Sequence, residues 1–390
     1  MAGMSFQSPH PINGTEPGLK VATPVPGEPM INQLFRTVML HKGSDLHLKA
    51  GLPGMMRLRG VIQKMNTPVL SQEHLEKLIY PILREKDRKV LEETGGADFA
   101  HVIGEDEARY RVNLFKQRGK FAVVARLVNQ SIPSFADLGL PDAIETLCHY
   151  EQGMVLLAGV TGSGKSTTIA SMLDYMNANE ALHILTIEDP IEFVFKDKMS
   201  IMNQREVYLD VSDWHIALKH AVREDPDIIL VGEMRDAETF EAAVHAAETG
   251  HVVFGTIHAS NAYSTIDRIL GLFPPSQHGA VRQSMVFNLK AVVAQKLIPS
   301  IKPGKSRVPT NEIMIVNPTI RDLILKGQDA KLLDAIRAFY NEGMVDFNEN
   351  LRQLVERNDV DKATALEFSP NADQLKMMIK GIKVSTSGLV

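Results

Sequence analysis

The sequence predicts an α/β protein with a parallel sheet covered by helices, preceded by a smaller α+β domain and followed by a helical segment. Beyond residue 136, short apolar strands alternate with helical patterns, as is typical of parallel sheets. Before residue 128, strand patterns joined by short turns indicate a mostly antiparallel sheet. One apolar strand leads into a glycine-rich turn that ends in Lys-Ser and opens a helix, which places a phosphate-binding turn in the second domain.

Composition limits the classes of protein to consider. A length of 390 residues predicts two or three domains, and 44% hydrophobic with 23% charged residues is typical of globular chains. The 42 basic and 47 acidic residues give a net charge of −5, which argues against a general nucleic-acid coat. Cys148 has no second cysteine to pair with, so an internal disulfide and a cysteine zinc site are excluded, and a reducing compartment fits. No apolar run is long enough to predict a transmembrane helix.

Residues 1–29 are rich in Pro, Gly, Ser and Thr and lack the apolar centre of a signal peptide, so they predict a flexible leader. Residues 30–128 form the predicted α+β domain. Its predicted helices cover about 30–41 and 71–93. Its predicted strands are Ser44–Lys49, Met56–Ile62, Ala97–Ile103, Ala108–Phe115 and Phe121–Leu127.

A linker is expected over residues 129–136, followed by the α/β core over 137–298. The core's predicted strands are Met154–Ala158, His183–Ile187, Ile228–Val231 and Val252–Thr256, with a helix over Gly164–Met176. Residues 299–381 are predicted to be a strand and helical segment, with helices over Asp322–Lys326, Lys331–Tyr340 and Phe347–Arg357. Residues 382–390 are expected to be a frayed tail.

The strongest motif fits G-x-x-x-x-G-K-[ST] and lies between a strand and a helix, as its mechanics require. Glycines let several backbone N–H groups point at one phosphate, and the helix N-terminus adds partial positive charge. The lysine would reach the β- and γ-phosphates of a nucleotide, and the serine hydroxyl would bind Mg²⁺. The alternative is a glycine-rich strand-to-helix turn, which needs neither Lys nor Ser. The motif consists of Gly159, Val160, Thr161, Gly162, Ser163, Gly164, Lys165 and Ser166.

Two acidic groups follow predicted strands. Glu233 comes after Ile228–Val231, where it could support Mg²⁺ or polarise the attacking water, facing the phosphate loop from a neighbouring strand. The second group, at the end of another strand, consists of Glu188, Asp189 and Glu192. Three carboxylates this close repel one another unless a cation is near, so the group is predicted to organise Mg²⁺ and its water. The alternatives are a solvated strand end and an ordinary acidic loop.

Histidines flank the predicted strand Val252–Thr256. His258 stands at its carboxyl end, so a γ-phosphate contact or sensor role is a hypothesis, and His251 at the other end is a second candidate. A purely structural role is the alternative for both. In the first domain, Arg109 and Arg111 share one strand face and Arg126 ends the next strand; such arginines could stabilise phosphoryl charge or form a solvated sheet face.

Together these stretches resemble the secretion ATPase superfamily of type IV pilus and type II secretion systems, and within it the pilus retraction ATPases. The ordered set is specific and covers most of residues 153–270; S-D-L-H-L and A-R-Y-R-V-N in the first domain and T-I-R-D-L-I-L near the C-terminus are similar too. The matching stretches are G-V-T-G-S-G-K-S-T-T, H-I-L-T-I-E-D-P-I-E-F, N-Q-R-E-V, A-V-R-E-D-P-D-I-I-L-V-G-E-M-R-D, A-A-E-T-G-H-V-V-F-G-T-I-H and S-T-I-D-R-I.

The resemblance implies a PAS-like first domain, a RecA-like P-loop ATPase domain and a homohexameric ring that uses ATP and Mg²⁺. It implies that Glu233 is the catalytic glutamate and that Arg111 and Arg126 reach a nucleotide across a subunit interface, with Arg109 and Arg118 as weaker matches. It places Thr167 with the phosphate loop and assigns Ser166 and Glu188 to Mg²⁺. It also implies two nucleotide-site motifs, an acidic box of Glu188, Asp189 and Glu192 and a histidine box of His251 and His258.

Within the superfamily, assembly and type II secretion relatives usually carry a four-cysteine zinc motif and a long N-terminal extension. This chain has one cysteine, and only about thirty residues precede its first domain, which favours the retraction branch. The expected function is an ATP-hydrolysing motor for type IV pilus retraction and twitching motility. Its expected place is the cytoplasmic face of the inner membrane, held there by partners: a pilus platform protein and an accessory retraction ATPase.

Three other functions stay open. The chain could drive pilus assembly or protein export. It could be a nucleotide-gated ring or scaffold subunit without hydrolysis of its own. A DNA translocase is the weakest reading, because no basic and aromatic strip for nucleic acid is visible.

Overall fold

The computed structural model describes residues 18–105, 107–128 and 131–382. Contacts divide the chain into two compact units, Met1–Gln130 and Ser131–Val390. Residues 383–390 of the predicted tail, most of the leader and the start of the linker lie outside the described residues. In the part of the chain that is described, no helix combines the length and hydrophobicity needed to cross a membrane.

The first unit is a six-stranded antiparallel sheet in the order β3-β2-β1-β6-β5-β4, with helices packed on one face. Its core joins α1 to the sheet: Phe35 stacks on Tyr110 at a centroid distance of 4.4 Å, and the Tyr110 hydroxyl donates to the Phe35 carbonyl at 2.8 Å. Its elements are α1 (Ile31–Leu40), β1 (Asp45–Lys49), β2 (Met55–Leu58), β3 (Val61–Lys64), α2 (Gln72–Ile79), α3 (Glu85–Thr94), β4 (Gly96–Ile103), β5 (Ala108–Gln117) and β6 (Lys120–Leu127).

Two predicted elements of this unit are divided in the structure. The predicted strand Met56–Ile62 is the hairpin β2–β3, because Arg59 and Gly60 both adopt positive φ and reverse the chain. The predicted helix over 71–93 is divided into α2 and α3 by a turn at Pro81. Proline has no backbone N–H to donate and its ring clashes with the preceding turn, so it interrupts a helix.

The described end of the leader, residues 18–29, packs on the first unit, so the prediction of a flexible leader is wrong for this stretch. Leu19 pairs with the chain beside β3: its N–H donates to the Lys64 carbonyl at 2.9 Å, and its carbonyl accepts from Asn66 N–H at 2.8 Å. Glu28 forms an ion pair with Arg36 at 2.7 Å. The segment thereby covers part of a sheet edge that would otherwise expose unpaired backbone groups.

The second unit is a seven-stranded sheet in the order β13-β12-β7-β11-β10-β8-β9, parallel except for β13. Its strands are β7 (Gly153–Ala158), β8 (His183–Glu188), β9 (Ile201–Glu206), β10 (Ile228–Val231), β11 (Val252–Ile257), β12 (Leu289–Pro299) and β13 (Arg307–Ile315). Strands β7, β10 and β11 are buried along their whole length, which explains why they appear in the sequence as continuous apolar runs.

Helices surround this sheet. They are α4 (Phe135–Leu138), α5 (Ala143–Leu147), α6 (Lys165–Asn179), α7 (Trp214–Ala221), α8 (Ala237–Glu248), α9 (Ser264–Leu270), α10 (His278–Asn288), α11 (Pro318–Leu325), α12 (Leu332–Ala338), α13 (Phe347–Glu356), α14 (Lys362–Phe368) and α15 (Ala372–Ile379). The start of α4 overlaps the predicted linker, because Ser134 and Asp137 form a reciprocal capping box.

The boundary proposed at 298/299 falls inside the hairpin β12–β13. Both strands belong to the seven-stranded sheet, and Phe347 of α13 lies in the same core cluster as Met154 of β7. The sheet hydrogen bonds and the shared core therefore join the segment after residue 298 to the α/β core.

Glu312 is a buried carboxyl on β13, 2% exposed. It accepts the Ala262 N–H at 2.8 Å and also a bond from the backbone N–H of Phe347. Burial raises the pKa of Glu312 to about 7; the charge of Asp346 acts in the same direction and that of Lys296 opposes it. The folded protein therefore favours the protonated form.

Replacing Glu312 by Gln should make the unfolding free energy less sensitive to pH. The stability from the neutral carboxyl is fully present below pH about 4.5 and is lost as the pH rises through about 7, so the wild type carries a penalty at pH 8 that Gln lacks. The variant should gain as much as about 3 kcal/mol at pH 8 over the wild type. Chemical unfolding of both proteins at pH 5 and pH 8 checks this, with the exposed Glu367→Gln as control. An equal gain at both pH values would contradict it.

Candidate functional site

The site lies at the carboxyl ends of four adjacent strands. Register brings the end of β7 beside β11, β11 beside β10 and β10 beside β8. Strand β11 separates β7 from β10, so the prediction that Glu233 approaches from a strand neighbouring the phosphate-loop strand is wrong. The loop still meets the acidic groups because all these strands are parallel and end at one edge of the sheet.

The phosphate loop joins β7 to α6 as predicted. Gly162 and Gly164 have φ of +78° and +88°, a conformation that favours glycine and lets the loop curl before the helix begins. The Lys165 ammonium is buried and donates to the carbonyls of Gly159 and Val160 at 2.8 and 3.2 Å. The lysine thus lies across its own loop, at the N-terminus of a 15-residue helix. This geometry suits a triphosphate.

Electrostatics connect the loop to two of the predicted carboxylates. Burial lowers the pKa of Lys165, while the charges of Glu233 and Glu192 raise it. The structure therefore brings Lys165, Glu233 and Glu192 within interacting range, as their positions in the sequence suggested.

Glu233 lies just beyond β10, and its carboxylate contacts the side chains of Arg235 and His258. Its Oε2 atom is 2.7 Å from an Arg235 nitrogen, and its Oε1 atom is 3.0 Å from His258 Nε2. The hydrogen bond from Arg235 lowers the pKa of Glu233, so the carboxylate is ionised at neutral pH. Arg235 also feels the charge of Asp189. Sequence reasoning missed Arg235, although it lies two residues after Glu233 in the quoted motif.

Glu188 ends β8 and is buried. Its Oε1 atom accepts from the Thr186 hydroxyl at 2.7 Å and from the Gln204 amide at 3.2 Å, and the backbone N–H of Glu192 also donates to it. Burial raises the pKa of Glu188 to about 7. Sequence reasoning missed Gln204, which reaches Glu188 only because β9 pairs with β8 in parallel register.

The two histidines lie at opposite ends of β11. His258 is at the site, but the His251 ring bonds to the Ala246 carbonyl at 2.8 Å and to Thr249. Six strand residues separate the two ends, or about 20 Å. His251 instead lines a cavity of about 510 Å³ at the amino ends of the strands. The prediction that His251 contacts the nucleotide is therefore wrong within this chain, because strand direction puts its two flanks on opposite edges.

Arg109, Arg111 and Arg126 lie on strands of the first unit's sheet, whereas Arg118 lies in the turn between β5 and β6. Arg111 is opposite Arg126, Arg126 is opposite Asp45, and Asp45 is opposite Arg57, in one row across four strands. Arg126 Nε is 2.8 Å from Asp45 Oδ1, and Arg57 Nε is 3.9 Å from the same carboxyl group. Three guanidinium groups with one carboxylate leave net positive charge in this row.

The donor set fits Mg²⁺ with a bound nucleotide. Ser166 opens α6 beside Lys165 and is partly exposed. No group of three or more His, Cys, Asp or Glu side chains in the described ranges could hold a metal ion. That is compatible with Mg²⁺, which usually keeps several waters and relies on substrate phosphates and one or two protein ligands.

Comparison with known proteins gives a consistent result. The family model of the type II/IV secretion system proteins matches residues 22–369. The type IV pilus retraction ATPase PilT of Pseudomonas aeruginosa is 44% identical over 337 residues, 86% of this chain and 97% of PilT. The type IV pilus ATPase PilU of the same organism is 36% identical over 348 residues, 89% of this chain and 91% of PilU.

Among solved structures, the pilus retraction motor PilT with bound ADP matches with a TM-score of 0.81 and 42% identity, covering 89% of this chain and 99% of that one. The predicted fold class, a P-loop ATPase with a parallel sheet, is confirmed. The family match, the relatives and the phosphate loop together show that this chain belongs to the type II/IV secretion system protein family and is an ATPase of that family.

Proposed function

We propose that this ATPase drives type IV pilus retraction, as a homohexameric ring on the cytoplasmic side of the inner membrane that acts on a platform protein. The observation that carries the proposal is the intact site, in which Lys165 and Glu233 converge at one sheet edge, in a chain 44% identical to a retraction ATPase over most of both lengths. The family resemblance is the basis for three parts of this proposal: the platform protein, an accessory retraction ATPase and the hexameric ring.

In the proposed mechanism, the phosphate loop and Lys165 bind the triphosphate of ATP. Ser166 would hold Mg²⁺, with Glu188 ordering its water, and the ion would supply positive charge to the phosphates. Glu233 orients the attacking water; its lowered pKa suits this role better than that of a strong base. Loss of the γ-phosphate would remove the anionic group that the arginines bind. Because this contact exists before hydrolysis and not after it, hydrolysis would shift the equilibrium between two arrangements of the domains.

Deleting the gene in its host tests whether the ATPase drives pilus retraction or pilus assembly. Abundant surface pili in electron micrographs together with lost surface motility would support retraction, because filaments would form and stay extended. Absent pili would contradict retraction and favour the assembly function. A wild-type protein that releases no phosphate from ATP in the presence of Mg²⁺ would favour the scaffold function.

The arginine row is proposed to act on a neighbouring subunit's nucleotide. Arg111→Ala and Lys165→Ala should each be inactive alone, whereas mixed rings should recover activity. In a random mixture about a quarter of the interfaces pair an intact loop with an intact arginine, since ring contacts are head to tail. ATP hydrolysis after co-refolding or subunit exchange measures this.

A mixture as inactive as its parents would place Arg111 outside any neighbour's site. Lys116→Ala, on the same strand and also exposed, is the control and should hydrolyse ATP at the wild-type rate.

A further inference from the structure

The wall behind the phosphate loop is β12, and Gln295 is its point of contact. The Gln295 side chain is 2% exposed and its Nε2 atom donates to the Ser163 carbonyl at 2.8 Å. The loop packs so closely on Gln295 that side chains at two of its glycine positions would clash. A Cβ atom on Gly164 would lie 2.8 Å from Gln295 Nε2, and one on Gly159 would lie 2.6 Å from the Gln295 carbonyl oxygen. Two of the motif's three glycines, Gly159 and Gly164, are therefore fitted to this strand.

The same amide holds two further elements. Gln295 Oε1 accepts from the Thr168 hydroxyl at 2.8 Å, in the first turn of α6, and from Asn311 Nδ2 at 3.0 Å, on β13. Thr168 and Asn311 are as buried as Gln295. Breaking any of these bonds without replacement would leave a polar group unsatisfied away from water, so the three elements are constrained to move together.

The chain of hydrogen bonds continues to the C-terminal helices. Asn350 of α13 is buried, and its Oδ1 atom accepts the Asn311 N–H at 2.9 Å and the Thr310 hydroxyl at 3.1 Å. Four residues thus connect the phosphate loop to α13: Ser163, Gln295, Asn311 and Asn350.

We propose that Gln295 is a positioning residue for the phosphate loop and that its hydrogen bonds through Asn311 to Asn350 couple the loop's conformation to the packing of α13. Gln295 touches no reacting atom; it fixes the backbone that binds the phosphates. Because coupling between two sites is reciprocal, nucleotide on the loop also stabilises the seating of α13. The inference rests on nucleotide binding by this loop in the proposed function and adds a route by which that binding reaches the C-terminal helices.

Binding of a fluorescent ADP analogue with Mg²⁺ to the full-length protein tests the proposal, with thermal unfolding measured alongside. Gln295→Met keeps the side-chain length and removes the amide, so affinity should fall about three- to tenfold, the value of one net hydrogen bond. Asn350 is hydrogen-bonded to Thr310 and Asn311 and not to the loop, yet Asn350→Leu should weaken binding of the ADP analogue about threefold. The double variant should lose less than the product of the two factors, because both act through one chain of bonds.

The control is Asn288→Leu. Asn288 is the buried last residue of α10, just before β12 begins, and its side-chain amide donates to Glu248 and to the Ser284 carbonyl. It should lower the melting temperature and leave affinity unchanged. Equal affinity losses in Asn288→Leu and Gln295→Met would mean that the effect is general destabilisation and would overturn the proposal.

Two results would contradict individual steps. Wild-type affinity in folded Gln295→Met overturns the positioning role, and wild-type affinity in folded Asn350→Leu overturns the coupling to α13. Should Gln295→Met not fold, Thr168→Val removes one donor to the same amide with little change of shape and is expected to lose affinity about threefold. A wild-type protein that does not bind the analogue would instead refute nucleotide binding itself.

Discussion

Replacing Glu233 by Gln is expected to lower ATP turnover by roughly 10²- to 10⁴-fold while ATP still binds. Gln keeps the shape of the side chain but loses the charge that holds Arg235 and His258 and would orient the attacking water. Since the carboxylate has no direct role in holding the phosphates, the dissociation constant of ATP should change little. Phosphate release and equilibrium ATP binding measure the two effects separately.

The exposed Glu241→Gln on α8 is the matched control and should hydrolyse ATP at the wild-type rate. Near-normal turnover in Glu233→Gln would remove Glu233 from the catalytic step. The raised pKa of Glu188 would then make that residue the next candidate.

Lys165→Ala should abolish both binding and turnover, with a loss of hydrolysis of about 10²- to 10³-fold or more. The ammonium extends from the start of the helix to the Gly159 and Val160 carbonyls, and its positive charge would attract the phosphates when a nucleotide binds. Unlike Glu233→Gln, this change should raise the dissociation constant of ATP as well as lower the rate.

Lys219→Ala, an exposed lysine on α7, controls for loss of positive charge and should behave as wild type. Retained ATP affinity in folded Lys165→Ala would mean that the loop amides bind the phosphates unaided. The lysine would then act only in the transition state.

The strands of the nucleotide-binding edge were predictable because they are buried on both faces. Such strands are continuous apolar runs, and β7, β10 and β11 agree with their predicted positions to within one residue at each end. The pairing of β12 with β13 was not predicted, since antiparallel addition at residues 289–315 depends on contacts with β7 that local pattern does not contain. The leader was misjudged for a similar reason: Leu19 finds its partner in Lys64, far along the chain.

For the site, the sequence by itself determined the chemistry. A glycine-rich loop with Lys165 and Ser166, and carboxylates at strand ends, are local features, because each depends on residue types at fixed spacing along one element. The tertiary structure decided which of these groups meet. Strand direction placed His258 beside Glu233 and His251 at the opposite edge, and parallel pairing brought Gln204 to Glu188 and Gln295 to the loop. Hydrogen bonds between strands far apart in the chain are set by sheet order and register, and neither is encoded in the spacing of a motif.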